Sequence, residues 1–220
     1  MAAETKERIL DTAERLFAEQ GYASTSLRAI VSAAQVNLAA VHYHFHSKEA
    51  LLEAVIMRRA DPVNQERLER LDQCEREAGS NPPDLEKVVE AFVAPTFRLG
   101  HDENGQTMLI RLLGRVFAEG DMLPQIVRNC FGSVQVRFGQ AVCRALPEVP
   151  PRELFWRMHF AVGAMAQALR GPRDLERISG GLCGQTATEE IVSRLVAFLT
   201  AGFRAPVPAA ALEDTLQESE

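Results

Sequence analysis

The chain reads as an all-α protein: a small N-terminal three-helix head containing a helix-turn-helix, followed by a larger helical body. Three observations predict this. Apolar residues recur at three- and four-residue spacing in segment after segment, with no strand-like alternating run. The stretch TSLRAIVSAAQVNLAAVHYHFHSKE, residues 25–49, has the pattern of a short helix, a tight turn and a second helix. Gly- and Pro-bearing breaks near 79–83, 100–105 and 147–151 cut the remainder into helix-sized lengths, and there is no internal repeat.

The first helix begins near Thr5, a candidate N-cap whose capping box is incomplete because Arg8 stands where Glu would complete it. Ile9, Ala13, Leu16 and Phe17 form its apolar stripe, and Gly21 ends it by accepting a left-handed backbone. Thr25 or Ser26 caps the second helix, about eight residues long and marginal alone, with Leu27, Ile30 and Val31 or Ala34 facing inward. Gln35 and Val36 make the turn, with Val36 as an apolar plug. Asn37 caps the third helix, whose Val41 and Phe45 face the core. That leaves Leu38, Ala39, His42 and Tyr43 on or beside the opposite surface, with His44 close by. Ser47 caps a fourth helix carrying Leu51, Leu52 and Val55.

Arg28 and Lys48 flank that surface, and no acidic residue lies between Leu27 and Lys48. A thin helix, kept so by Ala39 and Ala40, with a cationic and aromatic side suits entry into a DNA groove. His42, His44 and His46 invite a metal reading. No Cys, Asp or Glu lies among them and Glu49 is not placed as in His-Glu-x-x-His, so no metal and no cofactor are expected. The competing reading of the head is a protein-binding unit with exposed aromatics.

Composition sets bounds on both readings. With 220 residues, 46% hydrophobic and 25% charged, the chain allows one large domain or a head joined to a body. A net charge of −6 argues against a surface coated in phosphate-binding cations, yet residues 1–60 hold seven Lys/Arg and seven Asp/Glu. The head is therefore neutral while the rest carries the negative excess, which favours docking DNA by one end. Cys74, Cys130, Cys143 and Cys183 are widely spaced and read as reduced thiols rather than a disulfide framework. MAAETKERIL is too charged for a signal peptide, and the near-apolar stretch 160–169 is too short to cross a bilayer. A soluble cytoplasmic protein with no membrane partner is expected.

In the body, Pro62 is expected to kink or interrupt the helix leaving the head, and Leu68 and Leu71 continue a thin amphipathic stripe. Residues 85–99 form a helix built on Val88, Val89, Phe92 and Val93, with a bend at Pro95. Residues 106–119 and 126–146 form two more. The first carries Met108, Leu109, Leu112 and Leu113, with Arg111 and Arg115 sharing a face; the second carries Cys130, Phe131, Val134, Phe138 and Val142. Residues 152–170, RELFWRMHFAVGAMAQALR, are apolar on more than one face, which implies burial on two sides. Residues 186–203 are a second such helix. Their excess apolar surface, with Phe155, Val162, Met165, Leu169, Ile191, Leu195 and Phe198, points to a four-helix homodimer interface; burial in the chain's own core is the alternative. Residues 206–220 read as a flexible acidic tail.

The segment AERLFAEQGYASTSLRAIVSAAQVNLAAVHYHFHSKEALLEAV resembles the head of the TetR family of bacterial transcriptional regulators. The match runs through Phe17, Gly21, Tyr22, Thr25, Ile30, Ala33, Val36, Tyr43, Phe45, Lys48, Glu49 and Leu51, over about residues 5–57. Gln35 stands where the family usually has glycine, Asn37 where serine is usual, and His46 where proline is common.

The resemblance implies a helix-turn-helix domain at 1–57 and an effector-binding and dimerisation domain at 58–205. It implies a regulator of double-stranded DNA, a repressor released from a palindromic operator by a small molecule, not an enzyme. Thr25, Tyr43, His44 and Lys48 become candidate phosphate contacts. Ser26 lies beside them. Arg28 and the turn from Asn37 through Leu38 and Ala39 to Ala40 become candidates for base edges, and His42 a donor to a base or phosphate. The body is similar to a subgroup that includes fatty-acid-responsive regulators, which implies an amphipathic, fatty-acid or acyl-like effector. Its candidate pocket is Met108, Arg111, Leu112, Arg115, Phe131, Phe138, Trp156, His159 and Phe160. The alternative is a helical adaptor, or an enzyme using the central cavity.

Overall fold

The computed structural model describes residues 2–98, 123–169, 173–184 and 186–208. All regular structure among them is α-helical: α1 (Ala2–Gln20), α2 (Leu27–Ala34), α3 (Leu38–Phe45), α4 (Lys48–Ala78), α5 (Leu85–Arg98), α6 (Leu123–Ala145), α7 (Pro151–Leu169), α8 (Arg173–Ile178) and α9 (Thr188–Phe203). The helix expected over 106–119, the break at 100–105 and the tail from 209 onward lie outside the described residues. The chain forms two compact units that are interleaved in sequence. One gathers residues 2–64 with 123–133, the other 65–98 with 134–208.

The first unit packs α1, α2 and α3 with the start of α4 around Ile9, Ala13, Phe17, Ile30, Val41, Phe45, Leu51, Leu52, Val55 and Ile56. Ile126 and Cys130 of α6 join the same core, which sequence spacing did not foresee. α1 starts at Ala2, ahead of the expected cap at Thr5. It ends at Gly21, whose φ of 88° only glycine adopts readily and whose N–H returns to the Phe17 carbonyl at 3.0 Å. Glu14 is buried on α1 and is held by both Arg58 and Arg59 of α4, with Arg59 Nε at 2.8 Å. Arg58 also reaches Asp11 at 2.8 Å. A carboxylate taken out of water needs such partners.

Pro62 does not interrupt α4, which runs unbroken through 31 residues. The lost backbone hydrogen bond and the ring clash cost about 3 kcal/mol. Ala60, Val63 and Asn64 are all buried beside it, and Asn64 Nδ2 donates to the Cys130 carbonyl at 2.8 Å. That packing holds the helical path. Pro95 is likewise accommodated inside α5, where it lies in an unbroken buried run from Ala91 to Pro95.

The second unit is a helical bundle centred on α5, which packs on α9, while α9 also packs on α7. Its core joins Val88, Phe92, Val134, Phe138, Val142, Leu154, Ala161, Leu195 and Leu199. Arg67 is buried in it: Nε donates to the Phe92 carbonyl at 2.8 Å, Nη2 to Thr96 Oγ1 at 2.7 Å, and the guanidinium lies 4.4 Å from the Phe92 ring centre. Burial lowers its pKa to about 10. Arg157 is buried too; it donates to the Phe203 carbonyl at 2.7 Å and pairs with Glu153 at 2.8 Å, placing a cation at the C-terminal end of α9 where the helix dipole favours it. Among the described residues no helix is long and apolar enough to cross a membrane.

Candidate nucleic-acid interface

Local chemistry sets the two short helices. Ser26 is the N-cap of α2, its hydroxyl oxygen accepting from Ala29 N at 3.1 Å. Thr25, the other candidate cap and an expected phosphate contact, is 1% exposed. Its hydroxyl donates to the Gly21 carbonyl at 2.7 Å and also faces Leu16 O, so it ties the end of α1 to the start of α2 and offers nothing outward. Gln35 closes α2 in the left-handed region at φ 53°, the conformation that glycine would take without strain. Val36 follows, half-buried against the core. Asn37 Oδ1 accepts from Ala40 N at 2.8 Å, so this side chain is occupied in starting α3.

α3 buries Val41 and Phe45 and turns Leu38, Ala39, His42 and Tyr43 outward; Tyr43 is 77% exposed. Ala40 and His44 are half-buried. The His44 ring lies edge-on to Tyr43 with centroids 5.0 Å apart, so the two act as one aromatic step. His42 Nδ1 sits 3.1 Å from the His46 carbonyl oxygen. Arg28 is exposed on the first turn of α2.

Lys48 opens α4 with its ammonium 4.1 Å above the centre of the Tyr22 ring. The Tyr22 hydroxyl donates to Glu49 Oε1 at 2.8 Å, and Ser47 Oγ accepts from Ala50 N at 3.0 Å, capping the helix. The carboxylate nearest to the cationic side is thus tied down, and Lys48 is aimed by a ring. In the sequence Tyr22 and Glu49 stand out only as positions of the family resemblance, with nothing to link them. The pairing joins residues 27 apart, and no local spacing signals it.

Among the described residues, those expected to line an effector pocket do not share one cavity. Met108, Arg111, Leu112 and Arg115 lie outside the described residues. Phe131 packs on the core of the first unit, and Phe138 is buried in the core of the second. Phe138 borders a slit with Val88, Phe92, Met158 and Leu199 whose volume is about 10 Å³, room for about one water. Trp156, His159 and Phe160 do not join it. They stand on the exposed side of α7, with the Trp156 and Phe160 rings stacked at 5.9 Å, because Leu154, Arg157, Ala161 and Met165 claim its inner side.

The expected dimer residues also divide. Phe155 and Phe198 are 73% and 68% exposed, Val162, Leu169 and Ile191 are half-buried, and Met165 and Leu195 lie inside the unit's own core. The exposed side of α7 therefore carries Phe155, Trp156, His159 and Phe160, with Arg152 at its edge. As for chemistry, burial raises the Cys130 thiol to about 12, which leaves it protonated and a poor nucleophile. No group of three His, Cys, Asp or Glu placed to hold a metal occurs among the described residues.

Residues 9–55 match the family model described as bacterial regulatory proteins, tetR family. Residues 90–202, just over half of the chain, match the tetracyclin repressor-like C-terminal domain. The HTH-type transcriptional regulator UidR of Escherichia coli K12 is 33% identical over 126 residues, 57% of this chain and 56% of UidR. The HTH-type transcriptional repressor BepR of Brucella suis biovar 1 is 32% identical over 127 residues, 58% of each chain. The match thus spans little more than half the length of these relatives. The crystal structure of a transcriptional regulator from Aquifex aeolicus VF5 superposes with a TM-score of 0.54 at 20% identity, covering 89% of this chain and 97% of that one, a likeness of fold.

Proposed function

The chain belongs to the tetR family of bacterial regulatory proteins, and from that premise we propose that it is a ligand-responsive regulator of transcription that binds double-stranded DNA as a homodimer. The observation that carries the DNA reading is the outward side of α3. Leu38, Ala39, His42 and Tyr43 project from a helix capped by Asn37, beside Arg28 and Lys48, with no carboxylate from Leu27 to Lys48. Such a side admits phosphates and base edges together. Tyr43, His44 and Lys48 are assigned to the backbone, while Arg28, Leu38 and Ala39 are assigned to bases. Ser26, Asn37 and Ala40 set the helix starts, and the Ser26 hydroxyl remains able to donate.

Two heads must present themselves about 34–36 Å apart to read successive major grooves of a palindrome. The exposed aromatics Phe155, Trp156, Phe160 and Phe198 support a second copy of the chain as what brings them there. An isologous contact uses one patch twice, and aromatic anchors suit its centre. The effector reading, a small amphipathic molecule of fatty-acid or acyl type that releases the operator, rests on the family and on the second, helical unit. Arg111 and Arg115 are its candidate partners for an anionic head.

Selection of duplexes from a random pool at low ionic strength, followed by affinity measurement over a salt series, tests the reading. A palindromic site with half-sites about one helical turn apart is the expected result, with affinity falling steeply as salt rises. Failure to retain any duplex would remove the proposal.

A further inference from the structure

His46 follows the last residue of α3 with φ 64° and ψ −44°. The Ser47 N–H closes back on the Phe45 carbonyl at 2.7 Å, which makes His46 the middle of a three-residue γ-turn on the strained, positive-φ side. This turn brings the His46 carbonyl within 3.1 Å of His42 Nδ1. A carbonyl oxygen has no proton to give, so Nδ1 carries the hydrogen and donates it. The neutral imidazole then bears only a lone pair at Nε2. His42 is exposed on the side of α3 assigned above to DNA.

We propose that His42 is a specificity-determining residue that enters the major groove as a hydrogen-bond acceptor. It selects a base that offers an exocyclic amino group there, cytosine N4 or adenine N6. This rests on the DNA-binding reading above and departs from the expectation that His42 donates. Phosphate oxygens, guanine O6 and N7, and thymine O4 all turn lone pairs toward the groove, and a lone pair at Nε2 is repelled by them. His46 is the positioning residue: its carbonyl fixes the tautomer, and a proline, with φ locked near −65°, cannot hold that carbonyl in place.

The test uses the full chain on the selected site, with all four base pairs placed in turn at each operator position. The wild type is expected to favour one base pair at one position per half-site by about 5- to 100-fold, and to lose that preference when the pair's exocyclic amino group is removed. His42→Ala should flatten that preference while leaving the slope of affinity against salt unchanged. His46→Pro should flatten the same position, whereas His46→Gly, which accepts a positive φ, should retain it. Uniform weakening of every duplex by His42→Ala with a shallower salt slope would identify a phosphate contact and overturn the inference. So would a preference that persists when the favoured pair's exocyclic amino group is removed, purine standing for adenine or 2-pyrimidinone for cytosine. Absence of any duplex binding by the wild type is a different result, which removes the DNA reading itself and this inference with it.

Discussion

The Tyr22 hydroxyl donates to the Glu49 carboxylate at 2.8 Å, and the same phenol ring carries the Lys48 ammonium on its face. Tyr22 thereby sorts two neighbouring charges, anchoring the negative one and presenting the positive one. Burial and the Glu49 contact push the phenol's pKa above its usual 10.0, while the Glu49 backbone N–H, Tyr22 and Ser47 hold the carboxyl below its usual 4.5.

Removing only the hydroxyl, by Tyr22→Phe, keeps the ring under Lys48 and deletes the bond to Glu49. The pair is largely exposed, so the loss should be under about 1 kcal/mol. Above pH 10.0 the unfolded phenol ionises while the native one keeps its proton, so the contribution falls as pH rises. Below pH 4.5 the unfolded carboxyl binds a proton before the native one, so the contribution falls as pH drops. Urea melts of wild type and Tyr22→Phe should differ most between these limits. A difference that does not vary with pH would contradict the assignment.

Lys48→Ala should weaken every duplex sequence by a similar factor, because a phosphate contact carries no base information. Its salt slope should fall by about one per head. Anisotropy titrations on the selected site and on an unrelated duplex read both quantities. A change in sequence preference would instead move Lys48 to the bases.

The two kinds of residue on α7 and α9 predict opposite phenotypes. Phe155→Asp with Phe198→Asp should yield a monomer by sedimentation equilibrium with the helical signal intact, since both side chains are exposed. Met165→Ala or Leu195→Ala should instead cost about 2–5 kcal/mol of unfolding free energy, because each leaves a hole in the core. Unchanged association of the double aspartate variant would exclude this side of the bundle as the interface.

Gln35→Gly should stabilise the head. Gln35 sits at φ 53°, where a side chain with Cβ is strained by about 1–2 kcal/mol, offset in part by the greater freedom of unfolded glycine. A net gain of about 1 kcal/mol would raise Tm by roughly 2–4 °C. Calorimetry decides it, and a lower Tm would mean that the glutamine side chain makes a contact worth more than the strain.

The head was legible in the sequence because its signals are local. Ser26, Asn37 and Ser47 cap helices through bonds to residues three along the chain, and Ile30, Val41 and Phe45 bury at helical spacing. Segment 152–170 was not legible in the same way. Apolar side chains surround it, so periodicity could not say which would face out, and only packing against α9 sent Met165 inward and Trp156 and Phe160 outward. Pro62 stays helical, Ile126 and Cys130 join the core built by α1 to α4, and Tyr22 finds Glu49, each through partners distant in the chain. What the sequence determined by itself is the family of helices and their caps, since propensity and capping act within a turn. Which side of each helix is free to meet a partner was decided only by tertiary structure, since burial depends on neighbours that no local pattern names.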